Sequence, residues 1–230
     1  MSIAVGLAVA GRAMNWLTSS GAIAALVIGS IILLGTGLTG GILLTLFFVT
    51  GSLLTFGRSH PTQSGGRTAM QVAANSAWAA VGATAVALGF TVGWPIMIGS
   101  LAAAQADTWA TEIGSRSRRD PRLITTGQTV TPGTSGGVTW LGSSGGAFGA
   151  ALMGLAARLL DQPWPVAVAA VVGGVAGMLA DSMAGAAHRE RARLESGESQ
   201  LSNDVVNVIG SGVGALVAGL LTLLSTGLVP

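Results

Sequence analysis

Apolar runs, most of them long enough to cross a membrane, recur along almost the whole of this chain. They cover 21–34, 40–56, 69–91, 94–113, 138–160, 165–187 and 205–228, and a further short run over 3–17 contains Arg12. About 20 predominantly apolar residues cross the roughly 30 Å of a bilayer core as a helix. Only 9% of the 230 residues are charged. A soluble domain carries about 25%, so this chain has too few charges to cover a water-facing surface. Glycine/threonine or proline turns separate the runs, as in Gly35-Thr36-Gly37, Gly93-Trp94-Pro95 and Gln162-Pro163-Trp164-Pro165. The expected fold is all-α: one integral membrane domain over 1–230, a polytopic bundle of seven or eight transmembrane helices joined by short polar cytoplasmic loops. Whether 3–17 spans or lies at the interface is left open by its length. The 36 glycines fit close helix packing through small residues.

Several chemistries are excluded by missing residue types. The sequence has no lysine, which removes the P-loop and Schiff-base catalysis, and no cysteine, which removes thiolate nucleophiles and disulfides. The sequence pI near 11.0 comes from arginine, at a net charge of only +2. It is no sign of a nucleic-acid partner.

Three longer polar connections, 57–68, 115–137 and 188–202, fall on one side when the spans are counted. They carry Arg58, Arg67, Arg116, Arg118, Arg119, Arg122, Arg189, Arg191 and Arg193. The other side has little beyond Arg158 and Asp161. Positive loops stay inside, so the arginine side is expected to be cytoplasmic, in the cytoplasmic membrane.

Four acids stand out against this apolar background. Asp107 and Glu112 lie in "QADTWATEIG", Asp181 in "LADSMAGAAH" and Asp204 in "SNDVVN". A bare carboxylate in hydrocarbon costs roughly 2.5 kcal/mol or more. All four are expected near one depth, below the arginine face, with the amides of Asn75, Asn203 and Asn207. Shared protons, arginine partners or a divalent cation would neutralise them. Oxygen ligands from separate helices suit magnesium, which also binds substrate phosphates; helix-end ion pairs and polar packing are the structural alternative. Residues 107 and 112 point about 140° apart on a helix. Asp107 and Asp181 are therefore the first candidate metal ligands, across a helix pair, followed by Asp204. Glu112 is expected to meet a second ion, an arginine or the Gly133–Gly137 loop.

The connection "RLITTGQTVTPGTSGGVTW" supplies a second set of candidates. Thr125-Thr126 and Thr129-Val130-Thr131 read as short extended pieces. Gly133, Thr134, Ser135, Gly136 and Gly137 then lead into the run from Val138. A glycine-rich loop before a helix offers N–H groups to phosphate. With Arg122 and Arg67 nearby, metal-binding acids and phosphate-binding amides are the parts of a phosphoryl-transfer site. His60 and His188 read as interfacial polar residues, and no zinc-binding spacing is present.

"GGRTAMQVAANS", "ADTWATEIG", "ITT" with "PGTSGGVT", "ADSMAGA" and "NDVVN" occur in this order between Leu53 and Gly210. Together they resemble the integral membrane family of the phytyl-phosphate kinase of the vitamin E pathway. The resemblance implies a membrane transferase that moves a phosphoryl group from a nucleoside triphosphate, with CTP the expected donor, to a prenyl monophosphate such as phytyl phosphate. Magnesium is the implied cofactor, and nucleotide, prenyl phosphate and membrane lipid the implied partners. A membrane CTP-dependent cytidylyltransferase acting on a lipid phosphate is the related alternative, and a cation-coupled transporter the distant one. Prenyl chain length and oligomeric state leave no pattern in the sequence.

Overall fold

The computed structural model describes residues 2–55, 66–194, 203–225 and 227. Arg58, His60 and the side chains of Arg191 and Arg193 lie outside the described residues. Seven helices and one two-stranded ribbon are present among them: α1 (Ser2–Ala13), α2 (Ser19–Thr55), α3 (Ala69–Ala87), α4 (Gly93–Gly114), β1 (Arg122–Leu123), β2 (Gly137–Val138), α5 (Trp140–Leu159), α6 (Trp164–Leu194) and α7 (Asn203–Ser225). The fold is all-α. By length and composition alone, α2, α6 over Trp164–Arg189, and α7 can cross a membrane.

α2 has 37 residues but is not one rod. Gly37, at φ 62° and ψ −149°, breaks it in a region of backbone space that is essentially reserved for glycine. The two arms then run back along each other. Thr18, just before the first arm, donates its N–H to Arg67 O at 3.1 Å, and Ser52, near the end of the second, accepts from Arg67 Nη1 at 2.9 Å. A straight helix would hold those residues about 50 Å apart. Each arm is about 27 Å long at 1.5 Å per residue. The turn at Gly35-Thr36-Gly37 is thus a helical hairpin closed by one residue.

α1, with 12 residues, extends about 18 Å, short of a bilayer core. It ends where Asn15 turns left-handed, at φ 58°. The chain then drops Leu17 fully into the interior and bridges it to Arg67. α3 starts from a reciprocal cap: Gln71 N donates to Thr68 Oγ1 at 3.3 Å, and Thr68 N donates to Gln71 Oε1 at 2.9 Å.

α4 is the central helix and packs against α2, α3, α5, α6 and α7. Every residue from Met97 to Ala106 is buried. Small side chains make this enclosure possible. A Cβ placed on Gly214 of α7 would sit 2.5 Å from Ala103 Cβ and 2.7 Å from Gly99 O of α4. On α6, one placed on Gly173 would sit 2.5 Å from Gly214 O. Backbone meets backbone where α4, α6 and α7 cross, as small-residue membrane interfaces do. Over this enclosed stretch the helix is shielded by protein, so it tolerates polar residues such as Ser100 and Gln105 that lower its hydropathy.

Three expectations about the polar connections are corrected. Thr125 and Thr126 lie in a turn, and the extended pair is Arg122–Leu123 against Gly137–Val138, antiparallel. α5 begins at Trp140, two residues after Val138, because Thr139 turns the chain and accepts from Gly142 N at 3.0 Å. α6 runs on to Leu194 where a connection was expected from His188. The sequence 188–194 has no glycine or proline to stop it.

Candidate functional site

Asp107 lies one residue past the buried stretch of α4, on the side facing α6. There its carboxyl group meets that of Asp181 at hydrogen-bonding range, and both residues are half-buried. Asp181 packs against Gly210 of α7, where an added Cβ would lie 3.0 Å from its own Cβ. A larger residue at 210 would push the acid aside. Oδ1 of Asp181 is buried and has no hydrogen-bond donor. Two carboxyl groups in contact cannot both remain bare anions, so a proton or a cation must stand between them.

The glycine-rich loop docks directly above this pair. Gly136, at φ 77°, lies against Ala186 of α6, and Gly185 lies against Ser135 Oγ. Residue 185 is one helical turn beyond 181, about 6 Å along the axis. Within the loop, Gly137 N donates to Thr134 O at 3.0 Å, Thr134 N to Thr131 O at 3.1 Å, and Ile124 N to Gly136 O at 3.0 Å. The N–H groups of Ser135 and Gly136 take no part in these bonds. Gly133 is exposed at φ 85° with open space around it. Arg122 is exposed on the ribbon and Thr125 and Thr126 are exposed in the turn that follows it, and Arg122 Nη1 donates to Gly127 O at 3.0 Å. A bulky residue at 136 would strike Ala186 within 2.7 Å and detach the loop. That position is therefore unsuited to testing phosphate binding with the fold intact.

The four acids do not form one cluster. Among the described residues no three His, Cys, Asp or Glu side chains come together as a metal-binding group. Glu112 is 5% exposed and faces α2, where Thr55 Oγ1 donates to Oε1 at 2.9 Å. Arg67 acts on it electrostatically, and burial draws the pKa of that guanidinium below its ordinary value, with Glu112 opposing the shift. Asp204 occupies the first turn of α7, where a negative charge complements the helix dipole. It lies about 9 Å along α7 from Gly210, the residue packed on Asp181.

The amides divide as well. Asn207 is half-buried one turn from Ser211 and Gly210, on the inward face of α7, while Asn203 is exposed at its start. Asn75 returns its Nδ2 to Gln71 O at 2.8 Å. It sits beside Ala74, whose O accepts from Ser211 Oγ at 2.9 Å. This bond ties α3 to α7 at the level of Asp181.

Three participants carry no motif in the sequence. Gln105, fully buried, donates to Gly149 O at 2.7 Å and leaves its Oε1 without a partner, two residues from Asp107. Its signal was a lone amide in an apolar run. Ser52 and Thr55, which meet Arg67 and Glu112, lie so far away in the sequence that no local pattern links them.

The donor set can be tested against a divalent cation. Two facing carboxylates from different helices, one with an orphaned oxygen, match the one or two carboxylates by which proteins usually hold magnesium together with substrate phosphates. The residues fit that ion, with two acids rather than four.

A family described as "Integral membrane protein DUF92" matches residues 2–215. The chain is 34% identical to "Uncharacterized membrane protein MJ0933" of Methanocaldococcus jannaschii over 212 residues, covering 89% of this chain and 85% of that protein. A shorter segment of 46 residues, 20% of this chain and 16% of the other, is 50% identical to "Protein PGR" of Arabidopsis thaliana. No solved structure matches.

Proposed function

The chain belongs to the DUF92 family of integral membrane proteins, and from that premise we propose that it is a membrane kinase of prenyl monophosphates. It would take a phosphoryl group from a nucleoside triphosphate, with CTP the favoured donor, and release a prenyl diphosphate. The observation that carries this reading is the Asp107–Asp181 pair, with its orphaned oxygen, beneath a glycine-rich loop at the polar end of the bundle.

A prenyl monophosphate is already an anionic nucleophile, so the reaction needs no strong general base. One of its oxygens attacks the γ-phosphorus, a new P–O bond forms, and the bond to the β-phosphate bridging oxygen breaks with the nucleoside diphosphate leaving. The protein's task is to align two polyanions and offset their charge. Asp107 and Asp181 would hold magnesium, which supplies charge neutralisation on the phosphates. The amides of Ser135 and Gly136 would receive phosphate oxygens, and Asn207 would orient them from α7. Arg122 and the other arginines of this end raise the local concentration of nucleotide.

In this reading the bundle crosses the membrane seven times, through the two arms of α2 and through α3 to α7. α1 inserts partway, and the arginine end faces the cytosol in the cytoplasmic membrane. Nucleotide arrives from water while the isoprenoid tail stays in lipid. The test is turnover by purified protein given magnesium, CTP and phytyl or geranylgeranyl monophosphate. A prenyl diphosphate and CDP are expected. Pyrophosphate release would favour the cytidylyltransferase reading, and no consumption of any lipid phosphate would overturn both.

A further inference from the structure

We propose that the lipid substrate of this reaction seats in the groove between α1, the α2 hairpin and α3, its tail against the hairpin and its phosphate at Arg67, Gln71 and Asn75. The inference rests on the kinase reading for the identity of the lipid, and on the groove itself for the location.

The groove is apolar along most of its length. Leu7 of α1 and Ile28, Leu33, Leu44 and Phe47 of the hairpin line it. It follows α1 for about 18 Å, from the level of Leu33 and Gly41 of the hairpin to the polar end. A second hollow shares Ile3, Leu33 and Gly41 with it and continues along the hairpin to Ile42 and Val49. The hollows are small, about 60 Å³ beside α1 and about 370 Å³ along the hairpin, so a prenyl tail would lie along their apolar walls rather than be enclosed by them. At the polar end the lining changes to Arg67, Gln71 and Asn75.

Charge gives this end its direction. The first 106 residues contain no Asp or Glu; the first acid of the chain is Asp107. All three walls of the groove are therefore free of acid. Arg67 stands at its head, and Arg12 stands one turn beyond Ala8, a residue of the α1 wall. Glu112 reaches Arg67 from α4, outside the groove. An amphiphile with an anionic head is thus favoured over a neutral or cationic one.

The head also lies near the acid pair. Arg67 Nη2 and Thr108 Cγ2 flank the same point of the hairpin, 3.2 and 3.3 Å from where a Cβ on Gly51 would be. Thr108 adjoins Asp107. On the other side Ala74, next to Asn75, accepts from Ser211, next to Gly210, which packs on Asp181. Consecutive helical residues project about 100° apart, so a phosphate at Arg67 beside Thr108 would stand at the level of the acid pair, on the adjoining face of α4.

Photo-crosslinking of the full-length protein in vesicles tests the location. The probe is geranylgeranyl monophosphate with a diazirine in its tail. Adducts are expected on α1 and the hairpin, among residues such as Leu7, Ile28 and Phe47. Unlabelled geranylgeranyl monophosphate should suppress them, and geranylgeraniol should do so much less. Adducts confined to the outer faces of α5 to α7 would overturn the groove even if turnover is normal. Equal suppression by phosphatidic acid would overturn the prenyl identity. Ala25→Trp, which fills the groove, should raise the KM for the lipid about tenfold and leave the KM for nucleotide unchanged. A folded Ala25→Trp protein with unchanged lipid KM would also overturn it. Failure of all lipid-phosphate turnover, by contrast, removes the kinase reading, and adducts in the groove would then still mark an anionic-lipid site.

Discussion

Asp107 and Asp181 repel each other whenever both are ionised, and the surrounding helices give that repulsion little water to dissipate in. An amide at either position removes one charge and keeps a group that can donate to the remaining carboxylate. Asp107→Asn and Asp181→Asn should therefore fold as well as the parent protein, with equal or higher melting temperature in the absence of magnesium. Each should lose turnover by more than about 100-fold, beyond the 10–100-fold that supporting residues of a metal site typically cost. Near-normal turnover in both would make the pair structural. Glu112 is expected to behave oppositely. It is buried against Thr55 and under the influence of Arg67, so Glu112→Gln should lower stability by about 1–3 kcal/mol while turnover falls far less than in the aspartate variants. Melting and activity measured on the same preparations separate the two roles. The 140° between residues 107 and 112 was legible from helix geometry; that Thr55 and Arg67 would be the neighbours of Glu112 was not, because the hairpin that brings them there is a tertiary event.

The hairpin is the element on which the amino-terminal half depends. Gly37 holds its conformation with open space where a Cβ would be, so substitution there is a question of backbone strain alone. Gly37→Ala should cost about 1–3 kcal/mol and splay the arms, which is measurable as a lower melting temperature and as faster proteolysis near the tip. A stability equal to the parent's would mean the arms are held by packing alone. The glycine/threonine cluster marked this turn in the sequence. The ribbon was less legible. Its two strands have two residues each, and β1 pairs with a segment some fifteen residues away through contacts that no alternation of side chains announces. The extension of α6 to Leu194 went unread because arginines at a membrane boundary look alike in a loop and in a helix that leaves the bilayer.

For the molecule as a whole, the described parts of the polar connections gather at one end of the bundle: residues 66–68, the stretch from 115 to 139, and the last turns of α6. Arg116 Nη2 reaches Leu54 O at the end of the hairpin, at 3.3 Å, and the glycine-rich loop rests on α6. If this end faces the cytosol, a cysteine at the exposed Ser115 should react with a membrane-impermeant maleimide in inside-out vesicles and not in intact cells. Labelling from outside would reverse the orientation and separate the acid pair from cytosolic nucleotide. A second expectation concerns the crossing of α4, α6 and α7. Gly214→Leu should prevent assembly, seen as loss of a monodisperse peak in detergent, because its Cβ alone meets backbone of two helices within 3.2 Å. The sequence by itself determined that the chain is helical and membrane-embedded: scarce charge and repeated apolar runs leave no other way to satisfy backbone hydrogen bonds in lipid. It also determined that arginines gather on one side and that acids lie beneath them, since residues per span fix side and depth. Only the tertiary structure decided which acids touch. Depth is a property of one helix, but contact depends on the rotation and neighbours of two, and these were set by where glycines let α4, α6 and α7 close onto one another.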